Sequence, residues 1–212
     1  MPCDFTYDHY LQVLDTILLK YEIITDLSKA KMQNVLFLRH DVDISVEPAL
    51  NMAKLEHKYG ISSTYYFQIA GVFYNMVSYI GDLKEILSMG HKIGLHVCEI
   101  ENLSEELEIF NSVMSILNSN YSDFSLHNPK CKDGVDLLFK NGYSDSRGMW
   151  KDGCPCSNGI LDGEPIQIIV HPIYWGKDSK TNIDCFRKEI NRKLQVMNNI
   201  LLCFYDWGNY RI

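Results

Sequence analysis

The chain has 212 residues, 46% hydrophobic and 22% charged, which suits one substantial soluble core and is short for two. A formal net charge of −7 argues against a nucleic-acid or anionic-membrane surface, which needs clustered Lys and Arg. No apolar run approaches membrane-spanning length, and the start Met-Pro-Cys-Asp-Phe-Thr-Tyr-Asp lacks the basic and apolar regions of a secretion signal, so a cytoplasmic protein is expected.

Taken in chain order, helix and strand patterns alternate. Residues 6–21 carry Tyr7, Leu11, Leu14, Ile17 or Leu18, and Tyr21 at helical spacing. Residues 34–40 form the first expected strand, and Ser45 can cap a helix running to about Tyr59 and stopped by Gly60. Strands are expected at 62–67 and 92–97, with a short helix over 82–89 between them that ends at Gly90. Leu103, Leu107, Phe110, Met114 and Leu117 mark one face of the next helix, with Asn102 and Glu105 as a capping pair. Short strands at 123–127, 143–146 and 166–171 follow, with helices over 133–141 and about 181–199, and the run 201–205 reads as a closing strand. Strands separated by helices imply βα units and a largely parallel sheet. A regular eight-stranded barrel takes about 250 residues. The expectation is therefore a single domain over 1–212, an α/β fold built as a distorted or incomplete (β/α) barrel of six to seven mostly parallel strands. A doubly wound open sheet is the alternative.

In such folds the chemistry gathers where parallel strands end. The strand Leu36-Phe37-Leu38-Arg39-His40 runs into Asp41-Val42-Asp43. Strand side chains alternate, so Asp41 and Asp43 project to one side, where two carboxylates repel unless a cation joins them. Other strand ends supply His96, His127, Asp145 with Arg147, and His171. One Asp with two His is a divalent-metal set, and three protein ligands leave a position open for water. His40 has the opposite parity and should face the surrounding helices; His91 is assigned to structure, and His9 and His57 to the surface or to helix ends. Cys154-Pro155-Cys156 looks like half of a metal site that Cys98 and Cys131 could complete. Its spacing is not that of a zinc finger, however, and free thiols are the expectation for seven scattered cysteines. No Gly-x-Ser-x-Gly elbow or phosphate-cradling glycine loop is present.

Five stretches in order carry a resemblance: Arg39-His40-Asp41-Val42-Asp43, Gly90-His91-Lys92-Ile93-Gly94-Leu95-His96, Ser125-Leu126-His127-Asn128-Pro129, Tyr143-Ser144-Asp145-Ser146-Arg147-Gly148-Met149-Trp150, and His171-Pro172-Ile173-Tyr174-Trp175. Over roughly residues 33–176 the chain resembles the polysaccharide deacetylase superfamily, the group of the nodulation-type chitooligosaccharide deacetylases, in its His-Asp-Val-Asp branch. The resemblance implies a distorted (β/α) barrel and a metal-dependent hydrolase removing an acyl group, N-acetyl first, from an amino sugar or surface-polysaccharide precursor. It also implies roles: Asp41 as general base, Asp43 and His96 as metal ligands, and His171 as the acid that protonates the leaving amine. Better-known members place a second ligand histidine four residues after the first. Here that position is Ile100, so His127 is the expected third ligand of a divalent metal, zinc first, with Glu99 as its rival. Arg147 could orient Asp41, with Asp145 balancing its charge, and Trp150 and Trp175 could bind substrate by stacking on sugar faces. A hydrolase of another amide or ester, and a non-catalytic sugar-binding protein on the same fold, are the competing readings.

Overall fold

The structure, a computed structural model, describes residues 3–120, 123–127, 133–151, 153–158, 163–178 and 182–209. Asn128, Pro129 and Cys131 lie outside them. Helix α1 (Tyr7–Leu18) is followed by β1 (Glu22–Ile24), β2 (Val35–Val42), α2 (Val46–Lys58), β3 (Thr64–Phe67), α3 (Ile80–Ser88) and β4 (Lys92–Val97). Then come α4 (Leu103–Ile116), β5 (Phe124–Leu126), β6 (Asn141–Ser144), a single turn α5 (Pro155–Asn158), β7 (Ile166–Val170) and α6 (Asn182–Asn209).

All strand pairs are parallel, in the order β5-β4-β3-β2-β7-β6. The last long strand thus returns to the side of the first, as in a barrel, and the sheet stays open between β5 and β6 among the described residues. This is the distorted, incomplete (β/α) barrel expected from the alternation of elements. One edge of β2 is shared in succession: β1 pairs with Val35–Phe37 and β3 with Arg39–Val42, while β7 pairs with Leu36–His40 on the other edge.

Strand parity sorts side chains into two layers. The even residues Leu36 and Leu38 of β2 meet α1, Met52 of α2 and the apolar face of β7 in one core. Val42, Tyr65, Phe67, Leu95 and Val97 meet α2, α3 and α4 in a second. The odd residues face the barrel interior, where Phe37 stacks on Phe139 with centroids 5.5 Å apart and packs with Tyr66 and Val135. Gly94 of β4 lies under the Tyr66 ring, and a Cβ there would sit 2.3 Å from it, so the strand needs a glycine at this point.

Three expectations for elements are corrected. Residues 133–141 form a single 3-10 turn, Gly134–Leu137, that drops Val135 and Phe139 into the interior, instead of a helix. The run 201–205 is not a closing strand, because α6 continues through it. Asn102 makes no side-chain cap, since its amide donates to Glu99 Oε2 at 3.3 Å.

Candidate active site

The C-terminal ends of β2, β4, β5, β6 and β7 bring Asp41, Asp43, His96, His127, Asp145 and His171 to one rim. Asp43 Oδ1 lies 3.2 Å from His96 Nε2 and 3.1 Å from His127 Nδ1, and the two ring nitrogens are 3.2 Å apart. Donors bound to one ion at about 2.0–2.2 Å stand about 3–3.5 Å from each other at octahedral to tetrahedral angles. The three atoms therefore form a triangle of the right size, and the residue types fit a divalent cation. Ser125 Oγ meets His96 Nδ1 at 2.7 Å, which fixes the ring with Nε2 turned to the triangle. Burial acts against the charge of Asp43, but hydrogen bonds from His127 and His96 outweigh it and hold the carboxyl well below its ordinary range. The Asp43 bond pushes His127 up. Glu99, the rival ligand, is exposed and accepts from Asn102 instead.

Asp41 stands beside this triangle, 4.0 Å from His96 Nε2 and 4% exposed. Its carboxylate is gripped by a guanidinium, though not that of Arg147. Arg39, two residues earlier on the same face of β2, donates from Nε to Oδ1 at 2.7 Å and from its terminal NH2 to Oδ2 at 2.8 Å. Its other terminal nitrogen reaches Asp136 Oδ1 at 2.7 Å, and the guanidinium lies 5.5 Å from the centroid of the Tyr66 ring. Burial raises the Asp41 pKa, but Arg39 more than compensates, so Asp41 stays ionised. Arg147 is exposed, with a left-handed φ of 61°. The place expected for it at Asp41 is taken by Arg39.

Asp145 is likewise not the partner of Arg147. It is fully buried and accepts from the His171 backbone N–H at 2.9 Å, from His171 Nδ1 at 2.6 Å and from Trp175 Nε1 at 2.7 Å. His171 leaves β7 extended, ahead of the 3-10 turn Pro172–Tyr174, and its Nε2 faces the rim 3.8 Å from Asp43 Oδ2. Burial works against the charged imidazole, but Asp145, reinforced by Asp41 and Asp43, pushes its pKa up to about 9. Trp175 is corrected from a sugar platform to a buried support: it is 3% exposed, with Phe5 at 4.8 Å and Tyr10 at 5.2 Å between ring centroids. Trp150 is half-buried and packs edge-on to Trp175 at 6.2 Å.

Among solved structures, the chain is similar to the structure of a family 4 carbohydrate esterase from Bacillus anthracis. The identity is 15% and the TM-score 0.38, over 86% of this chain and 84% of that one. No family model and no curated protein matches the chain. Function is therefore read from the rim itself.

Two members of the site are absent from the expected set, Arg39 and Asp136. Arg39 was within reach of sequence reasoning, because it shares strand parity with Asp41 at i, i+2. Asp136 sits on a turn expected to be helical, where no periodicity marks it as inward. The other histidines are structural. His40 faces α2 and pairs with Glu56 at 2.8 Å, and His91 Nε2 meets the Ala53 carbonyl at 3.0 Å. His57 meets the Met89 carbonyl at 3.0 Å.

Proposed function

We propose that the protein is a metal-dependent hydrolase that removes an acyl group, N-acetyl first, from an amino sugar or a surface-polysaccharide precursor. The observation that carries this reading is the triangle of Asp43, His96 and His127, with a separate ionised carboxylate on one side and an Asp-oriented imidazole on the other. The order of the sequence motifs, which resembles that of the polysaccharide deacetylases, supports the carbohydrate as the substrate class.

Asp43, His96 and His127 would hold the cation. Bound there, a divalent ion supplies Lewis-acid polarisation of the acyl oxygen and acidifies the attacking water. Asp41 accepts the proton of that water. Both of its oxygens are oriented by Arg39, and each keeps a lone pair for the task. His171 delivers a proton from Nε2 to the departing nitrogen, while Asp145 keeps Nδ1 protonated and stabilises the charged ring. Buried Trp175 fixes the second Asp145 oxygen, so the Asp145–His171 pair has one geometry.

The test is release of acetate from N-acetylated amino-sugar oligomers by the purified protein, before and after chelation and readdition of zinc. Asp41→Asn should retain the ion and lose about 10²–10⁴-fold in rate. Loss of the ion in Asp41→Asn, with retention in Asp43→Asn, would exchange the two roles. No release by the zinc-loaded protein from N- or O-acetylated sugars would overturn the reading.

A further inference from the structure

A second group of ligand-type side chains includes His9, whose ring stacks on Trp175, the residue that donates to Asp145. Cys3 and His9 come from the chain's first residues, and Cys154 and Cys156 flank Pro155 in the segment before β7. From the sequence alone Cys98 and Cys131 could complete the half-site of Cys154 and Cys156, free thiols are the expectation, and His9 is placed at the surface or a helix end. The fold instead seals the Cys-Pro-Cys segment with the N-terminus. Cys3 Sγ lies 3.4 Å from Cys156 Sγ, and His9 Nε2 lies 3.4 Å from Cys154 Sγ and 3.8 Å from Cys156 Sγ. All four ligand atoms fall within 4.8 Å of one another.

The geometry points to a structural zinc site of the Cys3His type, formed by Cys3, His9, Cys154 and Cys156. In a tetrahedral site with Zn–S about 2.3 Å and Zn–N about 2.0–2.1 Å, sulfurs stand about 3.8 Å apart and a sulfur and nitrogen about 3.5 Å apart. The His9 Nε2–sulfur separations of 3.4 and 3.8 Å bracket the nitrogen–sulfur edge, while the Cys3 and Cys156 sulfurs, 3.4 Å apart, stand closer together than a sulfur–sulfur edge. Two sulfurs joined in a disulfide would be about 2.05 Å apart. Thiols are weak hydrogen-bonding groups, which gives no reason for three of them and an imidazole nitrogen to converge on one partly buried point. Four protein ligands leave no open position, so the site is closed, unlike the triangle at the rim.

The site has a place in the architecture. His9 is held in the first turn of α1, where its backbone N–H donates to Thr6 Oγ1 at 3.1 Å, and its ring stacks near-parallel to Trp175 with centroids 6.4 Å apart. Between Cys3 and His9 the chain pairs with the residue after Trp175: Gly176 N–H donates to the Phe5 carbonyl at 3.1 Å and Tyr7 N–H to the Gly176 carbonyl at 3.0 Å. Zinc here would close a loop of about 150 residues, a large constraint on the unfolded chain. It would also fix the N-terminal segment over the tryptophan that orients Asp145.

Cobalt is the probe. The full chain, loaded with Co²⁺, should show thiolate-to-cobalt charge-transfer absorption in the near ultraviolet, equivalent to one ion per chain. The rim triangle has no thiolate and cannot give this band, so failure of either site reads separately. The band should vanish in Cys154→Ser/Cys156→Ser and persist in Asp43→Asn. It should persist and intensify in His9→Cys, which exchanges the imidazole for a fourth thiolate. Absence of the band in the folded wild-type protein would overturn the site without recourse to any variant. So would its survival in Cys154→Ser/Cys156→Ser, or a Cys3–Cys156 disulfide found by alkylation and mass analysis of protein purified under reducing conditions.

Discussion

Arg39 is 2% exposed and divides its donors between two buried carboxylates, Asp41 and Asp136. Removing a guanidinium from such a group leaves buried charges without compensation, a loss of about 3–5 kcal/mol where it has been measured in other proteins. Arg39→Leu should therefore lower stability by that order in urea unfolding and should also raise the pKa of Asp41. A stability loss below about 1 kcal/mol would mean that water reaches the carboxylates and that Arg39 does not hold them. His171 makes a separate claim. If it protonates a leaving amine, His171→Ala should slow amide substrates strongly and an activated ester much less, because that leaving group departs without a proton. Equal losses on both would assign the ring to oxyanion stabilisation or to structure. Much of this rim was legible because strand parity and strand ends are written in local sequence. The partner of Asp145 was not. His171 and Trp175 reach it through the pairing of β6 with β7, a relation between segments about 25 residues apart, and local spacing favoured Arg147.

Helix α2 carries one acid on its buried face, in helical register with Ala49, Met52 and Ala53. Glu56 is fully buried and accepts from His40 at 2.8 Å, from Ser63 at 2.6 Å, from Tyr65 at 2.7 Å and from Tyr10, so it ties α1, β2, β3 and α2 together behind the rim. Burial opposes its charge, but His40, with His91 and Ser63, outweighs that cost and holds the pKa at about 2, against an ordinary 4.5. A carboxyl depressed on folding contributes stability that is present above its unfolded pKa and is lost as pH falls through the folded one. Part of the acid denaturation between pH 4.5 and about 2 should therefore belong to Glu56. Unfolding curves across that window should be flatter for Glu56→Gln than for the wild type; equal slopes would show that the carboxylate carries no such linkage. At this scale the sequence was a good guide to strands and a poorer one to short connections. Strand β4 begins and ends where expected, because an alternating run bounded by Gly90 has one reading. The three-residue β1 and the 3-10 turn Gly134–Leu137 are too short to show a period, and tertiary packing of Val135 and Phe139 decides the turn.

As a whole, the described residues form a barrel left open between β5 and β6, and the five rim-forming segments come from the stretch of chain between Asp41 and His171. The ends of parallel strands are where such folds place catalysis, which is the role proposed for the rim, whereas the Cys-His cluster draws on two short segments tied to one another. The two groups make opposite demands, one open to a substrate and one closed. Zinc-edge anomalous diffraction from crystals of the zinc-loaded protein tests the rim most directly. The expected result is a peak within ligand distance of Asp43, His96 and His127 that disappears in His127→Ala and survives in Glu99→Ala. A peak that contacts Glu99 and survives His127→Ala, or no peak at the rim of the loaded wild-type protein, would contradict the account.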